Sequence, residues 1–573
     1  MESAQEKLLD LLNSKTKENI PDSLSPPLTP RTSVPSSPAS SSSKSPLILL
    51  PTEIIHSILS YLPPVDLASV LASCRTLKAH ALDDRLWQAL VQENVPGQKV
   101  TESYPCPDFR TLYQAHDTRW FLPKYKIWFA DEDLTGRLIV VRYDQRRGCI
   151  EGYQLVAVSK DAGMTAWDSD PTISIHGFQP QVALHLDKPI LELQAVDTEN
   201  MDSVREKVKW LSRFDDVTEV TGRNRSGPSY LFSHPREVPI SRLMPSSKNS
   251  SSSIASLPFQ TQSRYGAEIP MDCDSSPSSF CTYMPARPLS PVELQSRERP
   301  SFPYGNIWPP PTIPSPHRIR AAGPRRPHED PLFKLEARPT SRKEISERSF
   351  RIRKWFAHWF PAEHIDSDPI SAVFARATMT PLYEEVTTYA TLDPKLYTPT
   401  KERPFRGIWV GDYSGHGCEF LLLTQPDFDE EDGGGIPVIS PQREDETDQD
   451  FEKRKYEETV YRGSLEAIKL TGDPNVPRGE VTFRVHDMGP EGYVKTIDDA
   501  PFAGARVVRS MGHIAHTGFQ HDSFIESQLF IISHDRLAQY WIDWGHISFF
   551  KRVDIDKFTA DQFTVLGPND MDD

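Results

Sequence analysis

The stretch Gly411-Asp412-Tyr413-Ser414-Gly415-His416-Gly417 brings an acid, a hydroxyl and an imidazole within five residues, the residue types of a nucleophile, its base and the group that orients the base. A second group, His513-x-x-His516 followed by His521-Asp522, contains metal-ligating types. Neither spacing completes the chemistry. No G-x-S-x-G elbow surrounds Ser414, and the CEFLLL that follows reads as a strand rather than a helix. ARVVRSMG ahead of His513 also reads as a strand, where residues three apart point to opposite faces, so His513 and His516 diverge. The glycines lack the G-x-x-x-x-G-K-[ST] spacing of a phosphate cradle. A tight turn between GIWVG and CEFLLL is therefore expected. In it the glycines permit positive φ and Asp412 or Ser414 bonds local backbone. No catalytic residue, metal or cofactor is expected.

The elements that hold this turn lie in a chain of 573 residues, longer than one usual domain of about 100 to 200 residues. With 52 prolines, 37% hydrophobic residues and a mean hydropathy of -0.50, only part of it is expected to bury a core. A Ser/Pro-rich tail (1–45) that begins with a short amphipathic helix, a tract at 222–340 and an acidic loop at 427–458 are read as disordered. Ser25-Pro26, Thr29-Pro30 and Ser37-Pro38 have the form that proline-directed kinases modify. Six cysteines without a C-x-x-C pair point to reduced, intracellular thiols, in cytoplasm or nucleus. The run PLILLPTEIIHSILSYL is broken by Pro51, Glu53 and His56 and falls short of the roughly 18 apolar residues of a span, so no membrane partner is expected. A net charge of -16 disfavours nucleic acid. The basic residues from Arg318 to Lys354 are read as a solvated face or a localisation signal.

Two kinds of order alternate with these tracts. In residues 46–92, Ile54, Ile58, Leu62, then Leu67, Val70, Cys74, then Leu82, Leu86, Trp87 and Leu90 repeat at helical spacing, which predicts three short helices. After a connector (93–125), short β-rich runs separated by turn residues fill 126–221 and recur from GIWVG to SFFKRV. Ser341-Arg342-Lys343-Glu344 offers a capping box, so residues 341–360 are predicted as a helix opening the second β segment, 341–567. The fold class expected is α+β: a small helical module followed by an antiparallel β-barrel or sandwich with long disordered insertions.

Leu50-Pro51-Thr52-Glu53-Ile54-Ile55-His56-Ser57-Ile58-Leu59-Ser60-Tyr61-Leu62-Pro63-Pro64-Val65-Asp66-Leu67, with Val70, Cys74-Arg75 and Trp87 after it, resembles the F-box. The resemblance implies docking on a Skp-family adaptor, which joins a cullin scaffold and a RING subunit in an SCF ubiquitin ligase. It also implies Leu50, Pro51, Ile54, Ile58, Leu62, Leu67 and Val70 as adaptor-facing anchors. The segments Pro404 to Glu419, Ile468 to Pro477 and Gly512 to Phe519 resemble the F-box only protein 31 family. The block from Thr135 to Tyr153 is similar to its fungal-type relatives, and the long insertion and the extra histidine at 516 depart from the pattern. What this likeness implies is a barrel that binds protein substrates for ubiquitination and degradation, with Tyr413, His416, His516 and Phe519 as candidate substrate contacts. Such a receptor is not an enzyme; it works by proximity. A scaffold that leaves its partner unmodified is the other open reading.

Overall fold

The structure is a computed structural model describing residues 46–160, 163–195, 268–271, 279–295, 304, 307–321, 338–356, 383–426, 441–443 and 445–559. The expected N-terminal tail and its Ser-Pro and Thr-Pro sites lie outside them. Residues up to Ile55 and those from His56 onward form two units. In the first, Pro46–Leu49 make a 3-10 turn with Leu47 and Leu49 in solvent. Helix α1 (Thr52–Leu59) then starts behind Pro51, whose carbonyl accepts the N–H groups of Ile54 and Ile55.

From His56 onward, α2 (Pro64–Leu71), α3 (Arg75–Ala81) and α4 (Asp84–Glu93) follow. Four α-helices stand where periodicity predicts three, because the second run breaks before Arg75. Cys74 is extended there (φ -152°) and its Sγ accepts the Leu77 N–H, capping α3. Trp87 is buried, and its indole N–H donates to the Ala81 carbonyl at 2.9 Å. The connector is a folded layer: α5 (Phe109–Ala115) and α6 (Phe121–Tyr125) bury Phe109, Leu112, Phe121 and Leu122.

Among the described residues nineteen strands follow in two sheets. They are β1 (Ile127–Ala130), β2 (Leu138–Asp144), β3 (Cys149–Ser159), β4 (Met164–Trp167), β5 (Asp170–His176), β6 (Pro180–Gln194), β7 (Ile269–Met271), β8 (Ser279–Pro285), β9 (Ser349–Phe356) and β10 (Tyr383–Ala390), then β11 (Gly407–Asp412), β12 (Cys418–Thr424), β13 (Leu465–Lys469), β14 (Val481–Val485), β15 (Tyr493–Thr496), β16 (Arg506–His516), β17 (Gln520–Ser533), β18 (Arg536–Trp541) and β19 (His546–Arg552). One sheet has the order β6-β3-β2-β1-β10-β9-β8-β7. In the other, β11-β12-β13-β14-β16-β17-β18-β19 run antiparallel, and β19 pairs back onto β11 through Trp409 and Arg552, closing a barrel. Strand β5 joins β19 in parallel, β4 lies beyond it, and β15 pairs β16.

The α+β class and the antiparallel barrel hold; several finer expectations do not. Residues 126–221 are not the first part of one barrel, since β1, β2, β3 and β6 belong to the other sheet and β4 and β5 alone reach the barrel. Several described parts of 222–340 join the core: β7 and β8 extend the first sheet, and Trp308, Ile313 and Ile319 are buried against Phe129 and Leu138. Among the described residues 341–356 there is no α-helix, and the rest of the expected helix, 357–360, lies outside them. Glu344 takes the Thr340 N–H and hydroxyl instead of closing a capping box, Ser341 makes no cap, and β9 runs antiparallel between β8 and β10. Arg351 and Arg353 are buried on that strand, so these members of the basic stretch are interior rather than solvated, and the half-buried Arg318 donates to backbone carbonyls. The acidic loop ends in helix α7 (Asp448–Val460), capped where Thr447 Oγ1 accepts the Asp450 N–H. Ile408, Val410, Phe420, Leu422 and Ile468 on the barrel exterior pack against Ile127, Phe129, Val140 and Leu155 of the first sheet.

Candidate functional site

Up-and-down connectivity gathers four hairpin loops at one end of the barrel: Tyr413–Gly417, Leu470–Glu480, Thr517–Phe519 and Ile542–Gly545. The other end is filled with carbon, where Trp409, Leu421, Leu423, Leu465, Phe483, Val508, Leu529, Leu537 and Phe550 form one core. Strand side chains alternate, so the same inward parity carried toward the hairpins reaches Glu419, Lys469, Ser510, Ser527, Gln539 and Ser548. The interior turns polar at this end. Ser510 and Ser527 hydroxyls bond at 2.7 Å, Gln539 Nε2 donates to Ser527 Oγ, and the buried Gln539 Oε1 has no protein partner.

A charged triad occupies the wall beneath the first two loops. Lys469 Nζ is 2.8 Å from Glu419 Oε2 and 2.6 Å from Asp473 Oδ2, all three side chains being buried. Tyr413 lies over the ammonium at 4.3 Å and its hydroxyl meets Thr482 Oγ1 at 2.9 Å. A bulge in the β13–β14 ladder lies at Thr482. Burial, with Asp473 beside it, pushes the Glu419 carboxyl up to about 8 despite Lys469. Burial also opposes the Asp473 charge, but Lys469 and the Val476 N–H hold that carboxyl down to about 2. Burial and then Glu419 drive the Tyr413 phenol well above its usual value.

An aromatic wall stands at the same end. Trp541 stacks on Trp544 (5.1 Å), Trp544 on His546 (5.7 Å) and His546 on His176 (4.9 Å). Trp544 is 52% exposed. His176 Nδ1 lies 3.1 Å from Asp412 Oδ2. Burial, and next the neighbouring His176, pushes His546 down to about 4. Gly512 makes room for this wall, because a Cβ there would sit 2.4 Å from the Trp541 ring and 2.8 Å from Gln539 Nε2. Gly512→Ala is therefore expected to destabilise the protein by about 1–3 kcal/mol, read as a lowered denaturant midpoint. An unchanged midpoint would show that the wall yields freely.

The Asp, Ser and His of the first turn form no triad. Asp412 Oδ1 accepts the Ser414 backbone N–H, its Oδ2 faces His176, and His416 is exposed in a 3-10 turn closed by the Tyr413 N–H donating to Gly417 O. Ser414 (φ 54°) and Gly417 (φ 86°) take the left-handed backbone, so a serine shares a role expected of glycines. His513 and His516 diverge: His513 is buried, and the exposed His516 lies beside His521 (6.0 Å). Among the described residues no group of three or more His, Cys, Asp or Glu converges as metal ligands. Of the four candidate contacts, Tyr413 belongs to the floor, His416 and His516 are exposed on loops, and Phe519 is half-buried against His513 (5.7 Å). Asp473, through its neighbour Asn475, links floor to rim: the Asn475 side chain accepts from Thr517 Oγ1 and the Pro474 carbonyl from Gly518 N–H.

In the helical module Leu50, Pro51, Ile54 (48%) and Ile58 (42%) are exposed, and Leu62 and Val70 half-buried. Leu67 is 1% exposed, a core residue rather than a surface anchor, because the Pro63 carbonyl starts α2 with Leu67 on its inner face. Sequence reasoning missed Glu419, Lys469, Gln539, Trp541, Trp544 and His546. The usable signal was polar residues at the inward parity of otherwise apolar strands, and the Trp541-Ile542-Asp543-Trp544-Gly545 turn.

Residues 47–93 match the F-box-like family, and residues 389–557 match the family described as the Cyclin D1 binding domain. The chain is also 28% identical over 147 residues to Protein EXECUTER 2, chloroplastic, of Arabidopsis thaliana, an alignment covering 24% of this chain and 18% of that protein. The chain thus spans under a fifth of that relative. No described helix is long and apolar enough to cross a membrane. The first match falls on the helices that present Ile54 and Ile58, and the second takes in the whole closed barrel: the chain carries an F-box-like domain and a barrel similar to the cyclin D1 binding domain.

Proposed function

We propose that this chain is the substrate-recognition subunit of an SCF-type ubiquitin ligase. The helical module would dock a Skp-family adaptor, and through it a cullin and a RING subunit; the barrel mouth would hold the target protein. The observation that carries the reading is the coexistence of an F-box-like segment with apolar side chains in solvent and a barrel whose polar, aromatic-walled end falls within the cyclin D1 binding likeness. Closeness to the F-box only protein 31 family, suggested by Pro404 to Glu419, Ile468 to Pro477 and Gly512 to Phe519, is part of the same proposal. The receptor performs no chemistry itself; it raises the concentration of target lysines beside a charged ubiquitin carrier. Its place is intracellular, where the adaptor and cullin act, and a D-type cyclin is the first target to try.

Affinity purification of the wild-type chain and of a form lacking residues 47–93, each with and without proteasome inhibition, tests the reading. Targets should accumulate on the deleted form, and on the wild type only when the proteasome is blocked. Partners whose amounts respond to neither change would favour a scaffold that leaves its partner intact.

A further inference from the structure

His513 is the one imidazole among the candidate ligands whose ring is buried, at 3% side-chain exposure, and both its nitrogens meet acceptors. Nδ1 is 2.7 Å from the Val481 carbonyl on β14, and Nε2 is 3.2 Å from Asp522 Oδ2 on β17. A carbonyl and an ionised carboxylate can only accept, so both bonds exist together only when the ring carries two protons. With one proton, a lone pair faces Asp522, which is half-exposed and free to turn to water. The ring is stacked on Phe524 (4.3 Å) and edge-on to Phe519 (5.7 Å). Beside it the hairpin tip holds two non-glycine residues in the left-handed region, Phe519 (φ 57°) and His521 (φ 51°), a strain that persists only while surrounding contacts enforce it.

We propose that His513 is a positioning residue: a doubly protonated clasp that fixes the β16–β17 tip with Phe519 and His516, so that target capture at the barrel mouth weakens as pH rises. The regulation of capture rests on the receptor reading above; the clasp itself does not. The charged groups facing His513 are Asp522 on β17 and Glu480 and Arg484 on the β14 side, the last lying across Phe524 at 4.0 Å. His516 and His521 pair at the tip. The sign follows: the two-bond clasp is present at low pH and is lost as the ring gives up a proton.

Asp522→Asn separates this role from packing. An amide can donate to a singly protonated ring, so the clasp no longer needs the second proton. His513→Phe keeps the stacking and removes both bonds. Amide hydrogen exchange over Ile514 to Ser523 of the full chain, at pH 6 and pH 8 and corrected for intrinsic rates, should show wild-type protection falling on the order of tenfold. Asp522→Asn should hold its protection at both values, and His513→Phe should lack it at both. An equal pH response in wild type and Asp522→Asn, or none in wild type, overturns the clasp. Capture of purified cyclin D1 by the same three proteins reads the regulation. Capture that tracks tip protection supports it, and capture indifferent to a loosened tip overturns it. If no form captures cyclin D1, that target is wrong, and the exchange experiment still decides the clasp.

Discussion

Lys469→Met should cost the fold about 3–5 kcal/mol, the scale of breaking a buried ion pair from one side. The ammonium is 1% exposed and serves both Glu419 (2.8 Å) and Asp473 (2.6 Å), so its loss leaves two carboxyl groups buried without a counter-charge. Asp473 keeps the Asn475 and Val476 N–H groups, whereas Glu419 has no comparable backbone support among its described bonds. A urea midpoint close to wild type would show that the triad is not buried in solution. Glu419→Gln is the instructive contrast, because it keeps the volume and removes the charge. The folded Glu419 carboxyl lies near 8, well above its ordinary value of 4.5. A raised acid stabilises the fold fully below the ordinary value and loses that contribution as pH rises toward 8. Glu419→Gln should therefore gain on wild type as pH climbs from about 4.5 to about 8. Asp473 works in the opposite sense: held near 2, it contributes above its ordinary 3.8 and fails as pH falls toward 2. Parallel denaturation curves of wild type and Glu419→Gln at pH 5 and pH 8 check the sign, and a variant whose stability relative to wild type does not rise from pH 5 to pH 8 would refute it.

The second large effect concerns the helical module. Ile54→Glu with Ile58→Glu should abolish recovery of a Skp-family adaptor while leaving thermal stability within about 1 kcal/mol, since surface changes away from special features usually do little. The two isoleucines lie four residues apart on α1 and are 48% and 42% exposed, so one face of one helix is altered without opening a core. Leu67→Ala should behave differently. At 1% exposure it leaves a cavity, and the expected loss is about 2–5 kcal/mol. Adaptor recovery and a melting curve on both variants separate a binding face from a supporting one. An intact adaptor complex with the double glutamate would remove α1 from the docking surface.

The helical module and the barrel class were legible because both rest on local signals: 3.6-residue spacing in one case, short β-rich runs with turn residues between them in the other. What failed was pairing over distance. Nothing local in RLIVVRYD says that β1 and β2 continue into β10 from the far side of the long insertion, yet Phe129 pairs Ala390. Trp355 and Ile352 looked helical by spacing, but β9 is flanked on both sides by strands whose ladders decide its conformation. The site divided in the same way. The turn at Asp412–Gly417 was readable from its own residues, while the Glu419–Lys469–Asp473 triad required β12 to pair β13 across the acidic loop and the turn after β13 to fold back. Leu67 shows the same limit in the helices, where periodicity identifies an apolar stripe without saying which of its members face inward.

The β11–β19 seam has a consequence for how this protein is made. Trp409 finds its partner Arg552 only after the whole intervening chain has been synthesised, so while the nascent chain emerges both β11 and β18 carry an open strand edge. The barrel end of the molecule cannot reach its final form domain-first during translation; it must wait for its last strand. During that interval the exposed edges are exposed to mispairing with other chains, which makes the late-synthesised residues His546 to Arg552 the point at which a cell's chaperones have most to protect.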